Sequence, residues 1–264
     1  EILSMIVAQF MTPKPVTVSP DDSLETALQA MDEYRVRHLP VVDGEYLVGV
    51  LSHRDLVGLT GWGLLGPEEG DDEDRYRWVS QAMVRDVVTV SPDDQVIAAA
   101  VEVSAQGIGC LPVIEDGKLA GIVSEMDLIR LVAENAGPND TIETLGVADA
   151  ITVTPDATLA QLDDLMSAKN VRHLPVVEDG KLLAIVSDRD VRRALGAGVG
   201  RDSSAGTFMN EGVVSIDAST PLKTAASMMF DRRIGALVLT HGDDRYGIVT
   251  TTDLLEHALG VLGT

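Results

Sequence analysis

A four-residue pattern that returns along the chain in fixed register constrains the fold more than any other feature. Leu39-Pro40-Val41-Val42 reappears as Leu111-Pro112-Val113-Ile114 and again as Leu174-Pro175-Val176-Val177. Downstream of each stands a Ser/Thr-x-x-Asp: Ser52 to Asp55, Ser124 to Asp127, Ser187 to Asp190, and Thr250 to Asp253. Upstream, Val18-Ser19-Pro20 matches Val90-Ser91-Pro92 and Val153-Thr154-Pro155. The second and third copies follow the first at offsets of 72 and 135 without a gap. The fourth follows at 198, with Val238 and Ala218 at the two proline positions. Self-similarity at a fixed period marks one supersecondary unit used repeatedly.

Each copy is expected to read β-α-β-β-α. A short extended segment, Val16-Thr17-Val18, leads to a Ser-Pro-Asp-Asp start signal in which Ser19 or a following Asp caps a helix. That helix is expected from about Asp22 to Tyr34, with Leu24, Ala27, Leu28 and Met31 at helical spacing. Two apolar runs follow, Leu39–Val42 and Tyr46–Leu51, separated by the hairpin signal Asp43-Gly44. A second helix opens at Ser52 and Asp55 and continues through Leu56. A unit of ~50 residues cannot bury both its faces, so the copies are expected to pair. The expected segments are 9–59, 81–136, 144–197 and 207–262, with a connecting loop over 60–80. That loop holds Gly61-Trp62-Gly63-Leu64-Leu65-Gly66, an acidic run from Glu68 to Asp74, and both tryptophans, Trp62 and Trp78. It reads as a solvated loop or as a flap facing a partner or ligand.

Of 264 residues, 45% are hydrophobic but only 3% aromatic, so the cores must be aliphatic. No apolar stretch approaches the ~18–20 residues that a spanning helix needs, and no membrane association is expected. The start Glu1-Ile2-Leu3-Ser4-Met5 carries no basic region of a secretory signal. The single cysteine, Cys110, leaves no internal disulfide framework, and a cytoplasmic location is expected. The charge is −22, from 42 acidic and 20 basic residues. Binding nucleic acid takes a basic surface, so nucleic-acid partners are not expected. A phosphate-bearing ligand would also be repelled at long range and would need local positive charge.

The helix, Leu-Pro-Val-Val and Ser-x-x-Asp order resembles the CBS domain, over nearly the whole chain outside its first residues and the 60–80 loop. Four copies resemble the arrangement in the gamma subunit of AMP-activated protein kinase. The resemblance implies an α/β fold in which copies pair about a pseudo-two-fold axis into two Bateman modules forming a disc, alone or as a homodimer. It also implies adenosine ligands (AMP, ADP or ATP, with or without magnesium) in the clefts of each pair. No cofactor is required, and the regulated partner protein is not named by the sequence.

By that resemblance the terminal Asp of each motif, Asp55, Asp127, Asp190 or Asp253, accepts from both ribose hydroxyls, an acceptor role that a carboxylate fits. The hydroxyl three residues earlier, on Ser52, Ser124, Ser187 or Thr250, donates to a ribose or phosphate oxygen. The same motif is a good helix N-cap, so both readings stand. Adenine would lie between aliphatic side chains. The matching positions are Val16, Val88, Ile151 and Val214 from the first strand, and Val36, Ile108, Val171 and Ile234 before the second. Packing in the core is the alternative for each.

The phosphate positions divide the copies. Arg37 and Arg172 stand three residues before the proline, where copies two and four have Gly109 and Gly235. Arg54 and Arg189 precede the terminal Asp, against Met126 and Thr252, and His38 and His173 face Cys110 and Ala236 in the same alternation. Arginine matches phosphate oxygens with a fork of donors. One phosphate-competent site per pair is therefore expected. The first would be built around Asp55 with Arg37 and Arg54, its apolar half from Val88 and Ile108. The second would be built around Asp190 with Arg172 and Arg189, its apolar half from Val214 and Ile234. The glycine edges would let a ligand approach closely. No catalytic constellation stands out, so no enzyme is expected. Two rivals remain: a scaffold with vestigial clefts, and a binder of another adenosyl ligand such as S-adenosylmethionine or a cyclic dinucleotide.

Overall fold

A computed structural model describes residues 4–61, 76–137, 140–143, 145–241 and 245–262. Repetition of sequence becomes repetition of structure. The first copy comprises β1 (Thr12–Pro13), α1 (Leu24–Tyr34), β2 (His38–Asp43), β3 (Tyr46–Ser52) and α2 (His53–Gly61). After the short α3 (Val79–Ala82), the second has α4 (Val96–Gln106), β4 (Cys110–Glu115), β5 (Lys118–Ser124) and α5 (Glu125–Asn135). The third has α6 (Leu159–Lys169), β6 (His173–Glu178), β7 (Lys181–Ser187) and α7 (Asp188–Gly196). The fourth has β8 (Asn210–Glu211), β9 (Ser215–Asp217), α8 (Leu222–Arg232), β10 (Ala236–Thr240), β11 (Tyr246–Thr250) and α9 (Thr251–Leu262). Two compact units result: one reaches Glu125 and includes Leu195–Gly198, and the other holds Met126–Ala194 and the chain from Val199.

The first strand of each copy is weaker than the alternation suggests. In copies one to three it is a single parallel bridge: Val18 to Val41, Val90 to Val113, and Val153 to Val176. Only the fourth copy forms a true strand there, β9, parallel to β10. The prolines explain this. Pro40, Pro112 and Pro175 have no N–H to donate, whereas Val238 at the same place donates to the Val214 carbonyl at 3.2 Å.

The helix start also differs from expectation. Ser19 does not cap α1; its N–H donates to Asp22 Oδ2 at 2.7 Å and closes a turn ahead of the helix. The cap is Ser23, whose Oγ accepts from Thr26 N at 3.0 Å. In the third copy Thr158 and Gln161 form a reciprocal capping box. Leu24, Ala27 and Met31 are buried on the inner face of α1 against Leu39, Val41, Leu51 and Leu56, and Leu28 packs beside them.

Pairing is built by exchange. β1, ahead of the first copy's own fold, pairs antiparallel with β5 of the second copy, and Val84, ahead of the second copy's fold, bridges to Val50 of the first. In the other unit β8 pairs with β7, and Val147 bridges to Ile248. Each visiting segment needs a small residue beneath it. These are Gly49, Gly121, Ala184 and Gly247, all buried. A Cβ on Gly49 would lie 2.8 Å from Val84 O, and one on Gly247 2.6 Å from Val147 O.

The described ends of the expected 60–80 loop are helical. Thr60 and Gly61 continue α2, and Val79 and Ser80 begin α3. Val79 is fully buried in the first copy's core, while Trp78 remains half exposed. Trp62 and the acidic run Glu68 to Asp74 lie outside the described residues.

Candidate functional site

At the start of the second helix of each copy, the Ser/Thr-x-x-Asp motif folds on itself. Asp55 Oδ2 accepts from Ser52 N at 2.9 Å and from Ser52 Oγ at 2.6 Å, while Asp55 N donates back to Ser52 Oγ at 3.3 Å. Asp190 does the same with Ser187, at 2.9 and 2.5 Å, and Asp253 with Thr250, at 2.7 and 2.6 Å. Two free N–H groups of the helix end are thus satisfied. The capping reading is correct for these three copies, and it occupies only one carboxylate oxygen. Among the described residues the other oxygen of Asp55 has no partner, and neither has that of Asp253. Asp190 Oδ1 lies 3.8 Å from Arg193 Nη1. Asp127, third in α5, is half-buried, as is Ser124.

One backbone bond brings the two arginine positions together. The first N–H of the second helix donates to the carbonyl three residues before the proline position. The pairs are His53 to Arg37 (2.8 Å), Glu125 to Gly109 (3.0 Å), Asp188 to Arg172 (2.9 Å) and Thr251 to Gly235 (3.1 Å). Arg37 therefore stands at the helix end that carries Arg54 and Asp55, and Arg172 at the end that carries Arg189 and Asp190. Arg37 and Arg189 are half-buried; Arg54 and Arg172 are exposed. Burial pushes the Arg189 pKa down, while the Asp190 carboxylate pulls it back up. His173, opposite Ser187 in the sheet, is lowered to about 4, first by burial and then by the charge of Arg172, with Asp190 opposing. It is neutral at pH 7.

The adenine candidates fare unequally. Val16, Val88 and Val214 are half-buried, and Ile151 is 37% exposed. Val36, Ile108, Val171 and Ile234 are half-buried just past the first helix. Their N–H groups bond the Met31, Val103, Met166 and Met229 carbonyls, closing that helix. Val16 and Val36 pack against the first copy's core, which agrees with the packing alternative.

The glycine edges diverge. In the first unit a Cβ on Gly109 would lie 2.4 Å from His38 Cε1 and Nε2, so the imidazole fills the space beside it. This corrects the expectation of an open edge there: without a side chain at 109, the ring of the preceding copy moves in. It also brings His38 of the first copy against Gly109 of the second. At Gly235 a Cβ would meet nothing within 4 Å, and that edge is open. Cys110 is buried, its thiol pushed up to about 12, and has no nucleophilic character at neutral pH. Among the described residues no three His, Cys, Asp or Glu side chains are placed to hold a metal, and no helix is long and apolar enough to cross a membrane.

Arg193 and the small residues beneath the exchanged segments were not singled out from the sequence. The small residues had a visible signal, Gly, Gly, Ala and Gly at one register position. Arg193 had none, since its position in the first copy is Gly58.

Comparison with known proteins places these features in a family. The CBS domain model matches residues 7–59, 79–134, 142–197 and 205–260. An uncharacterized 33.4 kDa protein of Thermofilum pendens is 31% identical over 94% of this chain and 90% of its own length. MJ1225 of Methanocaldococcus jannaschii is 27% identical over 92% of this chain and 95% of its length. The crystal structure of MJ1225, described as a candidate archaeal homologue of γ-AMPK, superposes with a TM-score of 0.79 over 96% of this chain and 100% of that one, at 25% identity. A conserved protein of Pyrococcus horikoshii shares the fold, at a TM-score of 0.66 and 23% identity. With four matches spanning most of its length, the chain belongs to the CBS domain family.

Proposed function

We propose that this protein is a regulatory module that binds adenine nucleotides, with one phosphate-competent site in each pair of copies. CBS domain proteins are generally regulatory, and the likeness to MJ1225 extends along nearly the whole chain. The observation that carries the ligand reading is the joining of three functions at one helix end. In copies one and three the same end bears the capped Asp, the arginine before it, and the arginine whose carbonyl bonds the helix. A carboxylate oxygen with two lone pairs suits a ribose diol, and guanidinium groups at a helix N-terminus suit phosphate. A net charge of −22 makes such a local cluster necessary for binding an anion.

In this reading Ser52, Arg37, Arg54 and Asp55 hold ribose and phosphate in the first pair, with adenine toward Val88 and Ile108. Ser187, Arg172, Arg189 and Asp190 do so in the second, with adenine toward Val214 and Ile234. Ser124, Asp127, Thr250 and Asp253, with Val16, Val36, Ile151 and Val171, form weaker positions without the arginines. A ligand touching both copies of a pair stabilises one arrangement of them, and a partner protein that prefers that arrangement then responds to nucleotide concentration by linkage.

The test is a thermal-shift panel of AMP, ADP, ATP, S-adenosylmethionine and a cyclic dinucleotide, on wild type and on Asp55→Asn/Asp190→Asn. Saturation at ~100 times Kd adds about 2.7 kcal/mol of stability. A shift for the phosphate-bearing ligands that the double variant loses supports the proposal. No shift with any ligand at low salt and millimolar concentration refutes it and leaves a scaffold.

A further inference from the structure

Copies one and three carry the same ligand-directed residues, yet the helices that present them differ one turn further on. We infer that the two sites select different nucleotides, the Asp190 site taking the more highly phosphorylated one, with Arg193 as its specificity-determining residue. This rests on the nucleotide-binding reading above.

Arg193 follows Arg189 by four residues on α7, so both guanidinium groups lie on one helix face. Arg193 Nη1 approaches Asp190 Oδ1 at 3.8 Å. Its charge is also among those that push the Arg189 pKa down, as expected of neighbouring cations. Arg192 is engaged elsewhere, donating to both oxygens of Asp188 at 3.1 and 3.0 Å. The Asp190 end therefore carries Arg172, Arg189 and Arg193, where the Asp55 end carries Arg37 and Arg54, with Gly58 at the third place.

The contact between Arg193 and Asp190 is long, at 3.8 Å, and its arginine side is exposed to solvent, and such pairs are weak. Ribose hydroxyls that take Asp190 Oδ1 displace Arg193 and free its guanidinium for a phosphate oxygen. Arg172 and Arg189 suffice for a first phosphate, and each further phosphate brings charge that a third guanidinium can meet. Space varies in the same sense. The edge at Gly235 is open, whereas His38 fills the edge at Gly109. A longer phosphate chain is thus favoured on both counts at Asp190 and disfavoured at Asp55.

The experiment titrates the full chain with AMP, ADP and ATP by calorimetry at fixed salt, using single-site variants checked by thermal melting. Asp55→Asn leaves the Asp190 site, and Asp190→Asn leaves the Asp55 site. The ratio of ATP to AMP affinity is expected to be about tenfold higher in Asp55→Asn than in Asp190→Asn. Adding Arg193→Gln to Asp55→Asn should remove that advantage while changing AMP affinity by less than about threefold, and Arg193→Lys, which keeps the charge but not the fork of donors, should retain part of it. Arg193 is 61% exposed, so both replacements leave the core untouched. Equal ratios in the two single-site variants, or an equal loss of AMP and ATP affinity in Arg193→Gln, overturn this inference alone. Absence of any nucleotide binding to wild type overturns the nucleotide reading with it.

Discussion

The two pairs of copies share a plan and differ in how tightly it is filled. In the first pair Gly109 carries the His38 ring against its backbone; in the second, Gly235 faces open space although His173 stands at the same place in the sequence. The second pair compensates with charge, placing Arg193 where the first has Gly58. The exchanged segments also differ, resting on Gly49 and Gly121 in one pair and on Ala184 and Gly247 in the other. Identical motifs thus specify the helix ends and strands, while neighbours outside the motifs decide the room and charge left beside them.

The largest effects should come where exchange depends on a missing Cβ. Gly247→Val drives a side chain into the Val147 carbonyl, 2.6 Å from the Cβ position. It should cost about 3 kcal/mol or more in chemical denaturation, as overpacking against backbone does. Gly49→Val should cost a similar amount in the first pair. A cost under 1 kcal/mol at either site would show that the visiting segment is not seated as described.

The glycine edges give the sharpest contrast between pairs. Gly109→Ala should destabilise by about 1–3 kcal/mol, whereas Gly235→Ala should stay within about 0.5 kcal/mol. His38→Ala combined with Gly109→Ala should recover much of the loss, and a double-mutant cycle measures the coupling. Equal costs at the two glycines would erase the distinction between the pairs.

Acid should find the second pair through His173. Its folded-state pKa of about 4 lies below the ordinary 6.5, so the unfolded chain binds the proton first. Stability is then complete above pH 6.5 and declines as pH falls toward 4, by on the order of 2–3 kcal/mol over that window. His173→Gln should remove that share of the slope while the carboxylates retain theirs. An unchanged slope would contradict the half-buried, neutral imidazole.

The smallest effect concerns the residue that closes the first helix in each copy. Arg35, Asn170 and Arg233 hold left-handed φ values of 54°, 51° and 53°, where copy two has Gly107 at 62°. Arg35→Gly and Arg233→Gly should each stabilise by about 0.5–1 kcal/mol, seen as a small rise in Tm. A fall would mean that the arginine side chains contribute more than the backbone costs.

Much of this was legible because the repeat reports on itself. Leu39, Leu111 and Leu174 are all fully buried, as one register of an inward strand demands, and the Ser-x-x-Asp motifs bond internally as a cap sequence should. Ser19 misled because Ser-Pro-Asp-Asp is also a turn sequence, and the competition was settled by Asp22 bonding back to Ser19 N. The first strand was overestimated because its pattern ignored what Pro40 cannot donate. The exchange of segments was not legible at all: Thr12-Pro13 and Asn210-Glu211 are too short to show periodicity, and their partners lie in another copy. At the candidate site the arginines could be named from the alternation of copies. The positions of His38 against Gly109 and of Arg193 beside Asp190 depend on rotamers and helix facing, which a linear pattern does not carry.

The central claim is one phosphate-competent site in each pair, and calorimetric stoichiometry tests it most directly. ADP should bind wild type with two sites per chain, Asp55→Asn and Asp190→Asn with one each, and the double variant with none at the same affinity. Two undiminished sites in the double variant, or no binding to wild type, would contradict it.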